Sequence, residues 1–319
     1  MFFKNATLFR IAPALLQGIV TAPAATDGAA PAASPLLAGL ADCTLKPIGP
    51  MELSTYGFVP PFGGEHDALA QQVGNHVLVT LAGEHKIIPP SSVNALLAKR
   101  CAEIEQKEGR RPGGRTRKRL KDEIVTDLLP KALVKPSRVD AILDIEQGFI
   151  AVDTTSRKVA EQVVSELRRA LGSLPALPLN AEAAPRAVLT AWVAGEELPE
   201  GVTMGDEVEM RDPADNGAVV KCKGQELASD EVAKHLEAGK QVTRLALVID
   251  DRMSFTFDEG LTVRKIRLLD TALESYDPAD LDSLHEELQA RLTLMGGELR
   301  RLFEVLEPAF DLSAAEEAA

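Results

Sequence analysis

The chain has 319 residues, of which 45% are hydrophobic and 26% are charged, and its formal net charge is −13. This composition is typical of a globular protein with about two domains, each large enough to bury a core. Aromatic residues make up 4% of the chain, which argues against a surface on which the bases of a single-stranded nucleic acid stack on aromatic side chains. Any contact with nucleic acid would therefore depend on charge.

Cysteine use and hydropathy indicate a cytoplasmic protein. Cys43, Cys101 and Cys222 are odd in number and far apart, which favours a reducing compartment and excludes a zinc ribbon built on a CxxC motif. The apolar run at residues 15–20 is too short and too interrupted for a signal sequence or a membrane span. We therefore expect no membrane partner.

The first predicted elements are strands. Residues 2–11 are expected to form the first strand, and a turn-rich segment around Tyr56 leads into another at residues 77–81, which residues 86–88 continue. The Ala- and Pro-rich stretch at residues 21–35 is low in complexity. It is either a flexible loop or a short helix, and composition leaves both open.

A helical hairpin is predicted at about residues 91–133. Its first helix follows the candidate caps Ser91 and Ser92, and a Pro-Gly-Gly break separates it from a second helix that begins near Arg115 and ends before Pro130. Apolar residues recur at helical spacing in both helices. They are Val93, Leu96, Leu97, Cys101 and Ile104 in the first helix, and Leu120, Ile124, Val125, Leu128 and Leu129 in the second.

Residues 99–121, at the turn of this hairpin, carry a dense run of positive charge. With three acidic residues among them, the local charge is +7, so the rest of the chain carries −20. Such a separation of charge favours a phosphate backbone as ligand. The alternative is a solvated loop that only aids solubility. The basic residues are Lys99, Arg100, Lys107, Arg110, Arg111, Arg115, Arg117, Lys118, Arg119 and Lys121.

A β-hairpin and a helix are predicted next. The hairpin strands are residues 139–145 and 149–152, and the helix is capped by Thr155 and ends at Gly172. An extended, proline-containing connection then leads to residue 179.

The acidic, Ala-rich segment after this connection is the predicted domain boundary. It would separate an N-terminal α/β region, residues 1–180, from a C-terminal α+β region, residues 181–319. The second region is predicted to contain five strands, of which the last three form an antiparallel meander, with helices before, between and after the strands. Its strands are residues 202–210, 218–222 (paired with the first across Asn216 and Gly217), 242–249, 253–257 and 261–268, and its helices are residues 186–192, 229–239, about 281–292 and 297–306.

Catalytic and metal-binding motifs are not found in the sequence. His66, His76, His85, His235 and His285 lack the i, i+3 or i, i+4 spacing of ligands on one helical face. Neither a dinucleotide-binding glycine motif nor a P-loop occurs. The adjacent Asp250 and Asp251 would point to opposite faces of a strand, so a turn explains them better. We expect a binding protein with no catalytic residue, cofactor or metal.

Several strings along the chain are specific to one family. They are FFKN at 2–5, GFVPP at 57–61 with DAL at 67–69, KIIP at 86–89, LLPKA at 128–132, LGSLPALPL at 171–179, HLEAGKQVTRLAL at 235–247 and GELRRL at 297–302. On these strings, which cover nearly the whole length in order, the chain resembles the recombination-associated protein RdgC family of proteobacteria.

The resemblance implies a non-catalytic homodimer shaped as a ring with a positively charged hole. Such a protein would bind double- and single-stranded DNA with little sequence preference, restrain strand exchange promoted by RecA, and associate with the nucleoid. The basic run would bind DNA. Further basic residues that could line the hole are Lys221, Lys223, Arg264, Lys265 and Arg267, although an ordinary solvated strand face is the alternative for each of them.

The resemblance also implies a contact between subunits near the end of the hairpin. Leu128, Leu129 and Leu133 are the candidates for this contact, and the alternative is that they are tucked into the local core. In relatives an aromatic residue follows LLPKA, where this chain has Leu133, so the packing would differ here. The Ala- and Pro-rich stretch and the Pro-Gly-Gly break also depart from the family pattern.

The predicted fold class is α+β, with antiparallel sheets, a projecting basic helical hairpin and a ring-forming homodimer. Two other classes of function stay open. The first is an RNA- or ribosome-associated protein that uses the same basic hairpin. The second is a nuclease.

Overall fold

Two compact units make up the protein in the computed structural model, which describes residues 2–22, 33–64, 68–214, 218–274, 276 and 283–313. Unit 1 consists of residues 1–42, 60–80 and 139–319, and unit 2 of residues 43–59 and 81–138. Each unit is therefore built from segments that are not consecutive. The predicted boundary at residues 180 and 181 lies inside unit 1.

The chain is α+β, as predicted. The described strands are β1 (Ala6–Arg10), β2 (Ser54–Val59), β3 (Ala70–Val73), β4 (His76–Ile87), β5 (Leu133–Asp144), β6 (Phe149–Val152), β7 (Leu177–Pro178), β8 (Val202–Arg211), β9 (Val219–Lys223), β10 (Gln241–Ile249), β11 (Met253–Asp258) and β12 (Thr262–Leu268). The helices are α1 (Pro13–Val20), α2 (Pro35–Asp42), α3 (Pro90–Glu108), α4 (Gly114–Leu128), α5 (Arg157–Leu171), α6 (Pro185–Val193), α7 (Asp230–Glu237), α8 (Asp270–Leu273) and α9 (Leu284–Phe310). Within these ranges, no helix is long and apolar enough to cross a membrane.

An antiparallel sheet forms the centre of unit 1. Its strands follow the order β5–β6–β1–β12–β11–β10–β8–β9. The predicted β5–β6 hairpin is confirmed, with Gly148 at φ 70° in its turn. The predicted meander of β10, β11 and β12 is confirmed as well. Because β1 pairs with both β6 and β12, the first strand of the chain joins the two halves of the sheet.

Aromatic residues of α9 fill the core on one face of this sheet. The Phe303 ring stacks on Phe149 at 4.8 Å, and Phe310 lies 4.9 Å from Phe257 and 5.5 Å from Trp192 of α6. The fully buried side chains of β8, β10 and β11 face the same cluster. Burial of these large rings accounts for much of the driving force for folding of unit 1.

The prediction of two C-terminal helices was wrong, because α9 is one continuous helix through Gly296 and Gly297. A Cβ atom on Gly296 would lie 2.4 Å from the His76 ring, whereas nothing lies within 4 Å of one on Gly297. The glycine pair therefore permits close packing at Gly296. It does not end the helix.

Other local predictions need small corrections. Helix α3 begins at Pro90 after Pro89, so Ser91 and Ser92 lie in its first turn and do not cap it. The cap of α5 is Ser156, one residue after the predicted Thr155. Helices α1, α2 and α8 and strands β2, β3 and β7 were not predicted. The turn at Asp250 and Asp251 is confirmed, with φ values of 50° and 53°.

Some predictions fall outside the described residues. These are most of the Ala- and Pro-rich stretch (residues 23–32), His66 and Asp67, the turn at Asn216 and Gly217, and the first two residues of the predicted helix at 281–292.

Unit 2 contains a small sheet and two helices. Strand β2, the second part of β4 and the first part of β5 lie in the order β2–β4–β5. Helices α3 and α4 pack through a separate small core of Val93, Leu97, Leu120 and Ile124. Packing in this core fixes the two helices against each other, and these helices carry most of the basic run.

Candidate nucleic-acid interface

Helices α3 and α4 and the residues between them, 109–113, form what we call the helix pair. The first helix ends where Gly109 adopts a left-handed conformation, with φ 70°, and donates its N–H to the Glu105 carbonyl at 2.9 Å. The second begins after Gly113, whose carbonyl accepts the Arg117 N–H at 3.0 Å. Glycine is suited to the first position because it has no Cβ atom to clash.

Nine of the ten predicted basic residues in the helix pair are exposed, and Arg100 is half-buried. Arg100 lies 2.8 Å from Asp127 and 3.9 Å from Glu123. The other ion pairs of these residues within the described part of the chain are Arg110–Glu108 at 3.9 Å, Arg111–Glu105 at 3.1 Å and Arg119–Glu123 at 3.5 Å. Pairs as exposed as these contribute about 0–1 kcal/mol each, so they are readily broken by a partner.

The other six cations of the helix pair form no ion pair within the described part of the chain. They are Lys99, Lys107, Arg115, Arg117, Lys118 and Lys121. The first turn of α4 also lacks an acidic residue, although the helix macrodipole favours one there. The structure therefore leaves a group of exposed cations with their charges uncompensated.

The leucines predicted as a subunit contact differ in exposure. Leu129 is 6% exposed, and Leu128 packs against the core of the helix pair. Leu133, the first residue of β5, is 79% exposed and is followed by the exposed Val134. Of the three, only Leu133 presents a large apolar surface for a partner to cover.

The second predicted group of cations lies on the sheet of unit 1. In β8, Val208 and Met210 are fully buried in the core, so the alternating Glu207, Glu209 and Arg211 point to the other face. The strand register places the charges of β9–β12 on that face too. We call it the charged face, and its residues are Glu207, Glu209, Arg211, Lys221, Lys223, Arg244, Asp258, Arg264, Lys265 and Arg267.

Four of the five predicted cations on the charged face are already paired. Lys221 lies 3.0 Å from Glu209, and Lys223 lies 3.2 Å from Glu207. Lys265 lies 2.5 Å from Glu207, and Arg264 lies 2.7 Å from Asp258. Arg267 forms no ion pair with any described residue.

Sequence reasoning missed the carboxylates and two arginines of this face. Arg211 and Arg244 both bind Glu209, at 2.9 and 3.2 Å. The alternation in β8 could have placed Glu207, Glu209 and Arg211 on one face. Their partners come from other strands, so no local signal could have identified them.

Both glutamates of the charged face have lowered pKa values. Hydrogen bonds from Lys265 and Lys223 lower the pKa of Glu207. Burial raises the pKa of Glu209, but hydrogen bonds from Lys221 and Arg211 and the charge of Arg244 outweigh it, and the net shift is downward. Both groups are therefore charged at neutral pH and compensate the cations around them.

A structural role accounts for the buried histidine of unit 1. The His76 Nδ1 atom lies 3.3 Å from the Asp144 carboxylate, and Arg300 binds the same carboxylate at 2.8 and 2.9 Å. Burial raises the pKa of Asp144, but the neighbouring His76 ring and the hydrogen bonds from Arg300 outweigh it and lower the pKa to about 2. Among the described residues, no group of three or more His, Cys, Asp or Glu side chains could hold a metal ion.

Comparison with known proteins gives consistent matches over almost the whole chain. A family model described as "Putative exonuclease, RdgC" matches residues 1–313. Proteins named "Recombination-associated protein RdgC" from Xanthomonas campestris pv. campestris (strain B100) and Xanthomonas oryzae pv. oryzae (strain MAFF 311018) are each 53% identical over 317 residues. One from Stenotrophomonas maltophilia (strain R551-3) is 49% identical over the same length. Each match covers 99% of this chain and 100% of the relative.

Proposed function

The chain belongs to the RdgC family, and we propose that it binds DNA without sequence preference and without cleaving it. The observation that carries this proposal is the group of exposed, unpaired cations on the helix pair. The relatives' names connect the family with recombination, in which DNA is the substrate. Restraint of RecA-promoted strand exchange and association with the cytoplasmic nucleoid complete the proposal, and both are supported by the family resemblance.

Cations of this kind bind phosphates whatever the base sequence. Lysine and arginine side chains that contact the backbone release condensed counterions, and this release drives non-specific binding. Because the chain carries −13 overall, its anionic remainder repels DNA except where the cations face it. The charge distribution therefore supports a localised contact with DNA.

Salt titration tests this proposal. If roughly five of the six unpaired cations neutralise phosphates, log K should fall with log salt at a slope of about −4 to −5 for duplex DNA. A slope near zero would contradict the proposal. Structured RNA serves as the competitor, and a strong preference for RNA would indicate recognition of the 2′-hydroxyl instead.

Incubation of DNA with the protein and Mg²⁺ or Mn²⁺ tests the proposed absence of catalysis. We expect the DNA to remain intact. Cleavage that co-purifies with the protein would show that it is a nuclease.

We propose further that the protein is a homodimer that encircles DNA as a ring. The exposed Leu133 supports an apolar subunit contact, and the ring itself is implied by the family resemblance. A compact dimer of this chain would have a radius of gyration of about 26 Å, and a ring of the same mass must exceed that value. Small-angle scattering should therefore give a dimeric mass with a larger radius.

Retention on circular DNA tests the encircling mechanism directly. A closed ring should stay on covalently closed DNA through salt washes that remove it from linear DNA of equal length, because linear molecules can slide out at their ends. Equal retention, or a monomeric mass at micromolar concentration, would rule out encircling.

A further inference from the structure

The cations of the charged face are held by carboxylates of one strand, β8. The register places Lys223 directly opposite Glu207, and Glu209 directly between Lys221 on β9 and Arg244 on β10. Opposite charges in such cross-strand positions stabilise a sheet. Arg211 adds a third cation to Glu209. Together with Lys265 of β12, the two glutamates therefore compensate five cations, two on Glu207 and three on Glu209.

Lys265 reaches Glu207 from a strand that is not adjacent to β8. It lies in a bulge of β12, with φ 55°, where the register against β11 shifts. Its Nζ lies 2.5 Å from Glu207 although β10 and β11 lie between β8 and β12. The short side chains Ala246, Ser254 and Thr256 line a shallow cavity of about 270 Å³ here, together with Lys265 and Glu207.

A carboxylate oxygen offers these cations what a phosphate oxygen would offer, namely a charge-assisted hydrogen bond. A phosphate that approaches the charged face must therefore displace a carboxylate. The displaced carboxylate then stays close to the phosphate, and the two negative charges repel each other. For Glu209 the cost is greatest, because its side chain is 6% exposed and has little access to water.

We propose that Glu207 and Glu209 lower the affinity of the charged face for the nucleic-acid backbone, because they form ion pairs with the cations of that face. This inference rests on the proposed DNA binding. Contacts on the helix pair then contribute most of the affinity, and the charged face adds a weak, exchangeable contact. Such a surface keeps DNA close without fixing it, which favours movement along the duplex.

Glu207→Gln is the variant that tests the proposal. Its partners Lys223 and Lys265 are 60% and 52% exposed, so they can reach water once released, and the fold should be retained. Release of one lysine or both should raise the affinity for duplex DNA by about eight- to sixtyfold at roughly 0.1 M salt and steepen the salt slope by about one or two. Thermal unfolding checks that the fold is unchanged.

Glu197→Gln is the matched control. Glu197 lies in the exposed loop after α6, forms no ion pair with any described residue, and gives the same change in net charge. We expect its affinity to equal that of the parent protein. Adding Lys223→Gln and Lys265→Gln to Glu207→Gln should abolish the gain.

The outcomes separate this inference from the proposed function. If the parent protein binds with a steep salt slope but Glu207→Gln binds no tighter, the attenuation is wrong and DNA binding stands. An equal gain in Glu197→Gln would show an effect of net charge and would also overturn the inference. A parent protein without salt-dependent binding would overturn both.

Discussion

The helix pair and the charged face are both rich in lysine and arginine, but they differ in what surrounds each cation. On the helix pair, six of ten cations have no anionic partner among the described residues. On the charged face, Arg267 alone of the seven cations lacks one within the same ranges. If the proposed function is correct, the number of unpaired cations in a segment, and not the number of its basic residues, sets its capacity to bind phosphate.

Secondary structure explains this difference. On an exposed helix, side chains meet only at i, i+3 and i, i+4. The helix pair has six acidic residues for its ten cations, yet within the described ranges only four of these cations lie in ion pairs. In a sheet, each side chain faces residues of two adjacent strands, and like charges directly opposite one another are destabilising. A face with several cations is therefore stable when carboxylates lie between them.

The largest expected effect comes from neutralising three cations in each region. Arg115→Gln, Arg117→Gln and Lys118→Gln together should weaken duplex binding roughly 500-fold at 0.1 M salt, because three phosphate contacts are lost. The matched triple Lys221→Gln, Lys223→Gln and Lys265→Gln should weaken it less than about tenfold. Fluorescence anisotropy with two unrelated sequences measures both.

Equal losses in the two triple variants would break the comparison. The loss in the helix-pair variant should also be the same for both DNA sequences, since phosphate contacts carry no sequence information. Loss on one sequence alone would indicate that these side chains read bases.

A second comparison concerns the apolar end of the helix pair. Leu129→Ala should destabilise unit 2 by about 2–4 kcal/mol, because it leaves a cavity in a packed site. Leu133→Asp should change stability by less than about 0.5 kcal/mol while it lowers the dimer fraction and retention on circular DNA. Urea unfolding and solution mass separate the two outcomes. A large loss of stability in Leu133→Asp would assign that residue to the core.

The buried charge of Asp144 in unit 1 should affect stability, whereas the exposed charges of the helix pair should not. The pKa of Asp144 is about 2 in the folded protein, against about 3.9 in the unfolded chain. Its charge therefore contributes about 2.5 kcal/mol of stability at pH values above 4, and this contribution is lost as the pH falls from about 4 to 2.

Asp144→Asn should accordingly lower the free energy of unfolding most at neutral pH and little at pH 2. Lys118→Gln is the control from the helix pair, and we expect it to leave stability unchanged across this range. Denaturant unfolding at several pH values measures both. A constant difference between the parent protein and Asp144→Asn would contradict the assigned ionisation.

The smallest expected effect comes from the two adjacent glycines of α9. Gly297→Ala should stabilise unit 1 by about 0.5–1 kcal/mol, because alanine favours the helix and meets no neighbour. Gly296→Ala should destabilise it, since the new Cβ atom would clash with the His76 ring beside Asp144. Both should bind DNA like the parent protein. Thermal unfolding would contradict this account if the two variants shifted in the same direction.

Local patterns were sufficient to predict much of this protein. Helical spacing of apolar residues and the Pro-Gly-Gly break predicted α3 and α4 to within a few residues, and alternation predicted β8, β10, β11 and β12. The density of basic residues at 99–121 identified the candidate interface, and family-specific strings identified the family. Each of these signals lies within a short stretch of chain.

The sequence by itself thus determined many of the elements, the family and the position of the strongest positive charge. Tertiary structure alone decided that Glu207 and Glu209 compensate the cations of β9 and β12, that Leu129 is buried while Leu133 is exposed, and that α9 continues through Gly296. The physical reason is the same in each case. Burial and ion pairing depend on neighbours from other strands and helices, and the distance along the chain does not specify them.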